Sequence, residues 1–283
     1  MKPRPASKPD SDDEQRRLAV LIDADNAQPS VIEGLLGEVA KYGVASVKRI
    51  YGDFTSTRQT QWKDALLKFS ISPVQQFAYT RGKNATDSSL IIDAMDLMYT
   101  RRFDGFCLVS SDSDFTRLAQ RLREEGLTVY GFGEKKTPDP FVQACDKFVY
   151  TEVLRADGGG APRSGGRGRG ARGGAKAQAG ESAAKPTPAP PAQPPADAPR
   201  SGGPRPLPIE LISQAIEEAS DEQGWTQLGA VGSYLTKIRP DFDSRLYGHR
   251  KLGDLLRGHP RHFEVEERGG GASGKVLYVR LKG

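Results

Sequence analysis

The chain has 283 residues, 36% of them hydrophobic and 27% charged, with 32 glycines, 20 prolines and two cysteines. The length allows two modest domains, and the Gly and Pro load means that part of the chain joins no core. Two cysteines exclude a disulfide scaffold and point to a reducing, cytoplasmic compartment.

Residues 1–16 are rich in Pro, Lys and Asp, and read as a disordered start rather than a signal peptide. Leu18 to Ile22 is a continuous apolar run, as in a strand buried on both faces, and it ends in Asp23-Ala24-Asp25-Asn26. Pro29 and Ser30 open a helix carrying Val31, Leu35, Leu36 and Val39, with Gly43 expected as its C-cap. Val44 to Tyr51 is the next strand. A second helix over Gln61 to Phe69 sets Trp62, Ala65, Leu66 and Phe69 on one face, as core. Pro73 to Phe77 is a weaker strand. Lys83-Asn84-Ala85-Thr86-Asp87 then leads into a long helix with Leu90, Ile91, Ala94, Met95 and Met98 at helical spacing.

Gly105 to Val109 forms a fourth strand. It runs into Ser110-Ser111-Asp112-Ser113-Asp114-Phe115, and Phe115, Leu118, Ala119 and Leu122 then recur as a helix. Leu127 to Phe132, a small helix near Phe141, and Phe148 to Tyr150 complete the series. Strands alternating with helices through short connections predict a three-layer α/β domain with a parallel sheet over residues 17–154.

Residues 155–206 change character. They hold nine Lys/Arg against three Asp/Glu, whereas residues 1–154 hold 21 against 22 and residues 207–283 hold 11 of each. The net charge of +5 therefore lies in this basic, Gly/Pro-rich linker, which is expected to be disordered. A cationic segment of this kind attracts polyanions, nucleic acid above all, and its Arg167-Gly168-Arg169-Gly170 run is a candidate RNA contact. A solvated spacer is the plain alternative. Over residues 207–283, helices marked by Ile209, Ile212, Ala215 and Ile216, by Leu228, Val231, Leu235 and Ile238, and by Leu252, Leu255 and Leu256 precede a hairpin of Phe263 to Glu266 and Val276 to Arg280. Three helices and a hairpin predict a small α+β winged-helix domain. No apolar run approaches membrane-spanning length.

Four carboxylates occupy equivalent places. Asp23 follows the first strand, Asp112 and Asp114 follow the fourth, and Asp87 begins the long helix, so all four fall on one edge of a parallel sheet. Clustered carboxylates repel unless a cation joins them, and hard oxygen donors favour Mg²⁺ or Mn²⁺. Such a site suits phosphodiester hydrolysis. Helix capping by Asp112 or Asp114 is the alternative reading. Asn26 is placed to support Asp23 or simply to serve the turn, Lys83 to contact a phosphate or simply to stand exposed in its loop, and Asp93 and Asp96 read as solvated helix positions. All three histidines lie at 249, 259 and 262, so the first domain has neither a histidine base nor zinc-binding histidines.

On Leu21 to Asn26, Lys83 to Asp87 and Ser110 to Phe115, the first domain resembles the NYN family, a LabA-like branch of the PIN-like nucleases. The resemblance implies metal-dependent ribonuclease action with Asp23, Asp87, Asp112 and Asp114 as metal-site carboxylates and Asn26 in support. Two positions depart from the family pattern: Asn84 and Ser111 stand where many members have glycine. On Pro240-Asp241-Phe242-Asp243, Tyr247 to Leu252 and Leu255-Leu256, the last domain resembles an OST-HTH, or LOTUS, module. That implies RNA binding or protein docking; Arg250 and Lys251 are the candidates for phosphate contacts, with a capped, solvated helix start as the alternative. The combined expectation is a nuclease tethered to an RNA-binding module. Its rivals are a non-catalytic RNA-binding adaptor and a phosphatase or sugar-nucleotide enzyme, the latter because Asp23-Ala24-Asp25 and Asp112-Ser113-Asp114 share the D-x-D form.

Overall fold

The computed structural model describes residues 15–55, 61–77, 85–154, 206–269 and 275–282. In the N-terminal domain, β1 (Arg17–Asp23), β2 (Val44–Gly52), β3 (Ser72–Gln75), β4 (Gly105–Val109), β5 (Thr128–Gly133) and β6 (Lys147–Tyr150) form one sheet in the order β3-β2-β1-β4-β5-β6. Every pairing in it is parallel. Between the strands run α1 (Ile32–Val39), α2 (Lys63–Phe69), α3 (Ala85–Tyr99), α4 (Thr116–Glu124) and α5 (Asp139–Ala144).

The two central strands show why the sheet has three layers. Successive side chains of a strand point to opposite faces. Ala19 and Leu21 of β1, with Phe106 and Leu108 of β4, join the core under α3, α4 and α5. Leu18, Val20 and Ile22, with Cys107 and Val109, join the core under α1 and Trp62. Both faces are covered, so an unbroken apolar run replaces the alternation of a half-exposed strand.

The strand order reverses between β1 and β4. At such a switch point the loops leaving neighbouring strands diverge and open a crevice beyond their carboxyl ends. Ile22 lies opposite Val109 and Asp23 opposite Tyr51, so Asp23 and Ser110 leave adjacent strands at the same level.

Gly43 is not the cap that its position suggests. Helix α1 stops at Val39 with Ala40 in the cap position, and Gly43 does not have a positive φ. A Cβ at Gly43 would stand 2.3 Å from the Arg16 carbonyl oxygen, the same oxygen that accepts from Val44 N at 2.7 Å. Close approach, not left-handed backbone, demands the glycine. Among the described residues, the left-handed non-glycine residues are Ser70, which caps α2, and Arg101, just beyond α3.

In the C-terminal domain, α6 (Ile209–Ala219), α7 (Leu228–Ile238) and α8 (Leu252–Arg257) pack on a sheet of β7 (Thr226–Gln227), β8 (Phe263–Arg268) and β9 (Val276–Leu281), ordered β7-β9-β8. Ile212, Ile216, Val231, Leu235, Leu255 and Phe263 are in its core. Among the described residues no helix is long and apolar enough to cross a membrane.

Candidate metal centre

Asp23 closes β1 and is fully buried. Its Oδ1 accepts from the Asp25 backbone N–H at 3.0 Å, and its Oδ2 accepts from Asn26 Nδ2 and from Ser110 Oγ, each at 2.7 Å. Burial pushes the Asp23 carboxyl upward, against the lowering effect of those three donors. Ser110 also accepts from the Asp112 backbone N–H at 3.1 Å. One hydroxyl, donor and acceptor at once, thus ties the end of β1 to the loop after β4.

That loop is fixed from the side of β5. Ser110 N donates to the Phe132 carbonyl at 2.9 Å and Glu134 N to Ser111 Oγ at 2.8 Å. Gly133 permits this approach, because a Cβ there would lie 2.5 Å from the Ser110 carbonyl oxygen and 2.6 Å from Thr137 Oγ1. Ser111 does not have positive φ and contributes a hydrogen bond that glycine could not. Asp112 then caps a short 3-10 turn, Ser113–Phe115, accepting from Asp114 N at 2.9 Å. Capping and site-building are therefore compatible, since one carboxylate oxygen caps and the other is a separate acceptor.

Asp87, in the first turn of α3, meets this loop. Asp87, Asp112 and Asp114 each offer an oxygen, and the three atoms lie within 4.8 Å of one another. Asp87 and Asp112 are half-buried and Asp114 is exposed. Asp23 is not one of these three, but its charge acts on Asp87. Burial, then the charges of Asp23, Asp112, Asp114 and Asp25, push the Asp87 carboxyl up to about 6. The donor set fits a hard divalent cation: three carboxylate oxygens converge, and a cation relieves their mutual repulsion.

The other expected residues fall as follows. Asn26 is half-buried and holds Asp23, while Asp25 is exposed at the same turn. Asp96 is exposed. Asp93 is not a solvated position: it pairs with Arg49 and accepts from the Tyr51 hydroxyl. Lys83, Arg167 and Arg169 lie outside the described residues. Arg250 and Lys251 are exposed on the turn before α8, in the other domain. Ser110 is the site residue with no expected role, although a hydroxyl directly after the fourth strand, two places before Asp112, is a signal for it.

A family model for the NYN domain matches residues 17–152, and one for the OST-HTH/LOTUS domain matches residues 204–274. The chain is an NYN-domain protein. The NYN domain belongs to the PIN-like nuclease superfamily, and the OST-HTH/LOTUS domain behind it to an RNA-binding family. Among solved structures, the chain is 45% identical to an uncharacterised protein of Nitrosomonas europaea, over 32% of this chain and 85% of that one, with a TM-score of 0.27. It is 33% identical to a protein segment from Chromobacterium violaceum over 28% and 83%, with a TM-score of 0.23. It is 20% identical to a protein of unknown function from Vibrio parahaemolyticus over 50% and 95%, with a TM-score of 0.41. Comparison with curated proteins found no match.

Proposed function

We propose that this NYN-domain protein is a ribonuclease that hydrolyses RNA phosphodiester bonds with Mg²⁺ or Mn²⁺, and that its OST-HTH/LOTUS domain binds the RNA. The observation that carries the reading is the convergence of Asp87, Asp112 and Asp114 at the switch-point crevice, with Asp87 raised to about 6. These three residues would hold the cation, and buried Asp23, fixed by Asn26 and Ser110, supports the loop that carries two of them. A divalent cation, when bound, lowers the pKa of an attacking water and offsets charge on the leaving oxygen. The half-buried to exposed grading of the trio leaves the site open to a polymer lying across the sheet edge. With no histidine in the NYN domain, its carboxylates are the groups left to accept a proton near neutral pH. Cys107 and Cys145 are free, buried thiols, which supports a cytoplasmic location.

Purified protein should cut labelled RNA when Mn²⁺ or Mg²⁺ is added and stop in EDTA, and Asp112→Asn should abolish cutting while leaving RNA binding in place. Equal activity in EDTA overturns the metal mechanism. Tight binding of RNA that stays intact with metal present makes the chain a non-catalytic adaptor instead.

A further inference from the structure

Residues 239–247, Arg-Pro-Asp-Phe-Asp-Ser-Arg-Leu-Tyr, include residues that carry the OST-HTH/LOTUS resemblance, yet the RNA-binding reading gives them no task. They meet the NYN domain. β6 is the last strand of the sheet, and the Phe148 N–H donates to the Pro240 carbonyl at 2.9 Å. Proline has no N–H to return, so this contact covers the strand edge without extending the sheet.

Around it the contacts alternate between polar and apolar. The Tyr150 hydroxyl donates to Asp241 Oδ2 at 3.1 Å, and Arg239 Nε donates to Asp241 Oδ1 at 3.2 Å; Asp241 is buried. Arg245 donates from Nη1 to Glu38 Oε2 at 2.9 Å and from Nε to both oxygens of Asp243 at 3.0 Å. Glu38 is buried at the end of α1, where Lys41 Nζ and the Tyr42 hydroxyl also donate to it, at 2.8 and 3.0 Å. Leu246 is buried in the NYN core that contains Phe141 and Phe148, and Tyr247 packs against the same core.

We propose that residues 239–247 are a docking surface for the NYN domain of the same chain, and that this docking sets the distance along an RNA between the bound element and the cut. The proposal rests on the ribonuclease reading and deepens it. A module that only hangs on a tether raises the local concentration of RNA, and any bond within reach is cut. A docked module presents its RNA in one position. The buried carboxylates fix the register of the docked form, because a shifted register would bury a charge without its partner, which is strongly unfavourable. Arg245 and Asp241 are accordingly positioning residues that touch no substrate.

The test uses the full chain with a protease site placed within residues 155–205. After cutting, the two pieces should elute together, and Arg245→Glu should separate them. An RNA selected for tight binding to the metal-free full chain is then flanked by oligouridine on both sides and cleaved with Mn²⁺. The wild type should cut it at one narrow group of positions. Arg245→Glu should spread the cuts along both flanks, while cutting a uridine oligonucleotide too short to reach both domains at the wild-type rate. Glu38→Lys breaks the same pair from the NYN side and should give the same spread, which guards against misfolding of the C-terminal domain alone. Wild-type pieces that separate, or a cut pattern unchanged in both variants, overturn the proposal. Pieces that stay together in a wild type that cuts no RNA overturn the ribonuclease reading and the spacing with it, and leave the docking standing.

Discussion

Asp87 shows what the candidate site costs the fold. Its carboxyl titrates at about 6 rather than at the ordinary 3.8, so the folded chain holds a proton there that the unfolded chain has already released. Stability from this group is present below pH 4 and is lost as pH rises through 6. A shift of about two units corresponds to roughly 3 kcal/mol, and with much of the side chain in water about 1 kcal/mol is the expected effect. Asp87→Asn should therefore raise the melting temperature of the metal-free protein by a few degrees at pH 7 and by almost nothing at pH 4. In the same variant Mn²⁺ should no longer raise that temperature as it does in the wild type; thermal unfolding with and without Mn²⁺ reads both. The acids at strand ends were legible in the sequence because each breaks an apolar run at a place where topology opens a crevice. Asp93 was not, because Arg49, its partner, lies 44 positions away and no local pattern links them.

At the scale of elements, the site depends on how closely the loop after β4 lies against β5. Gly133→Ala puts a methyl group 2.5 Å from the Ser110 carbonyl oxygen, and the loop must move. The expected cost is about 1–3 kcal/mol. Because the displaced loop carries Asp112 and Asp114, Mn²⁺ affinity should fall by more than the change in stability explains, which a Mn²⁺ titration of the folded variant measures. If affinity is unchanged, Gly133 serves packing alone. The order of strands and helices was readable from periodicity, since the interior of β1, Leu18 to Ile22, and all of β4 are apolar and α3 and α4 carry their core residues at helical spacing. Element ends were less so. Gly43 looked like a cap, but the backbone of Arg16, brought close by the β1–β2 pairing, decides its identity.

At the scale of the molecule, the composition change near residue 155 and the return of patterned sequence near residue 207 made two folded parts visible. Their docking was invisible, because Glu38 and Arg245 are 207 positions apart. Burial raises the carboxyls of Glu38 and Asp243, but hydrogen bonds outweigh it, from Lys41 and Arg245 in one case and from Arg245 in the other, and both end below their ordinary values. Carboxylates of that kind stabilise above the ordinary carboxylate range and cease to as pH falls through the depressed value. The pieces of a chain cut between residues 155 and 205 should stay together at pH 6 and come apart as pH drops below about 4. Size-exclusion chromatography across that range checks it; pieces that remain joined at low pH would assign the docking to Leu246 and its apolar neighbours instead.

The two cysteines give the protein its own stopwatch. Cys107 lies in β4 and Cys145 just beyond α5, both buried and on opposite faces of the sheet, and burial pushes both thiols well above their ordinary range. Neither can meet a thiol reagent until the sheet opens, and residues 207–283 contain no cysteine to confuse the signal. The rate of Cys107 labelling in native buffer therefore times the opening of the N-terminal sheet, and a bound cation that holds Asp87 to the loop after β4 should slow that clock.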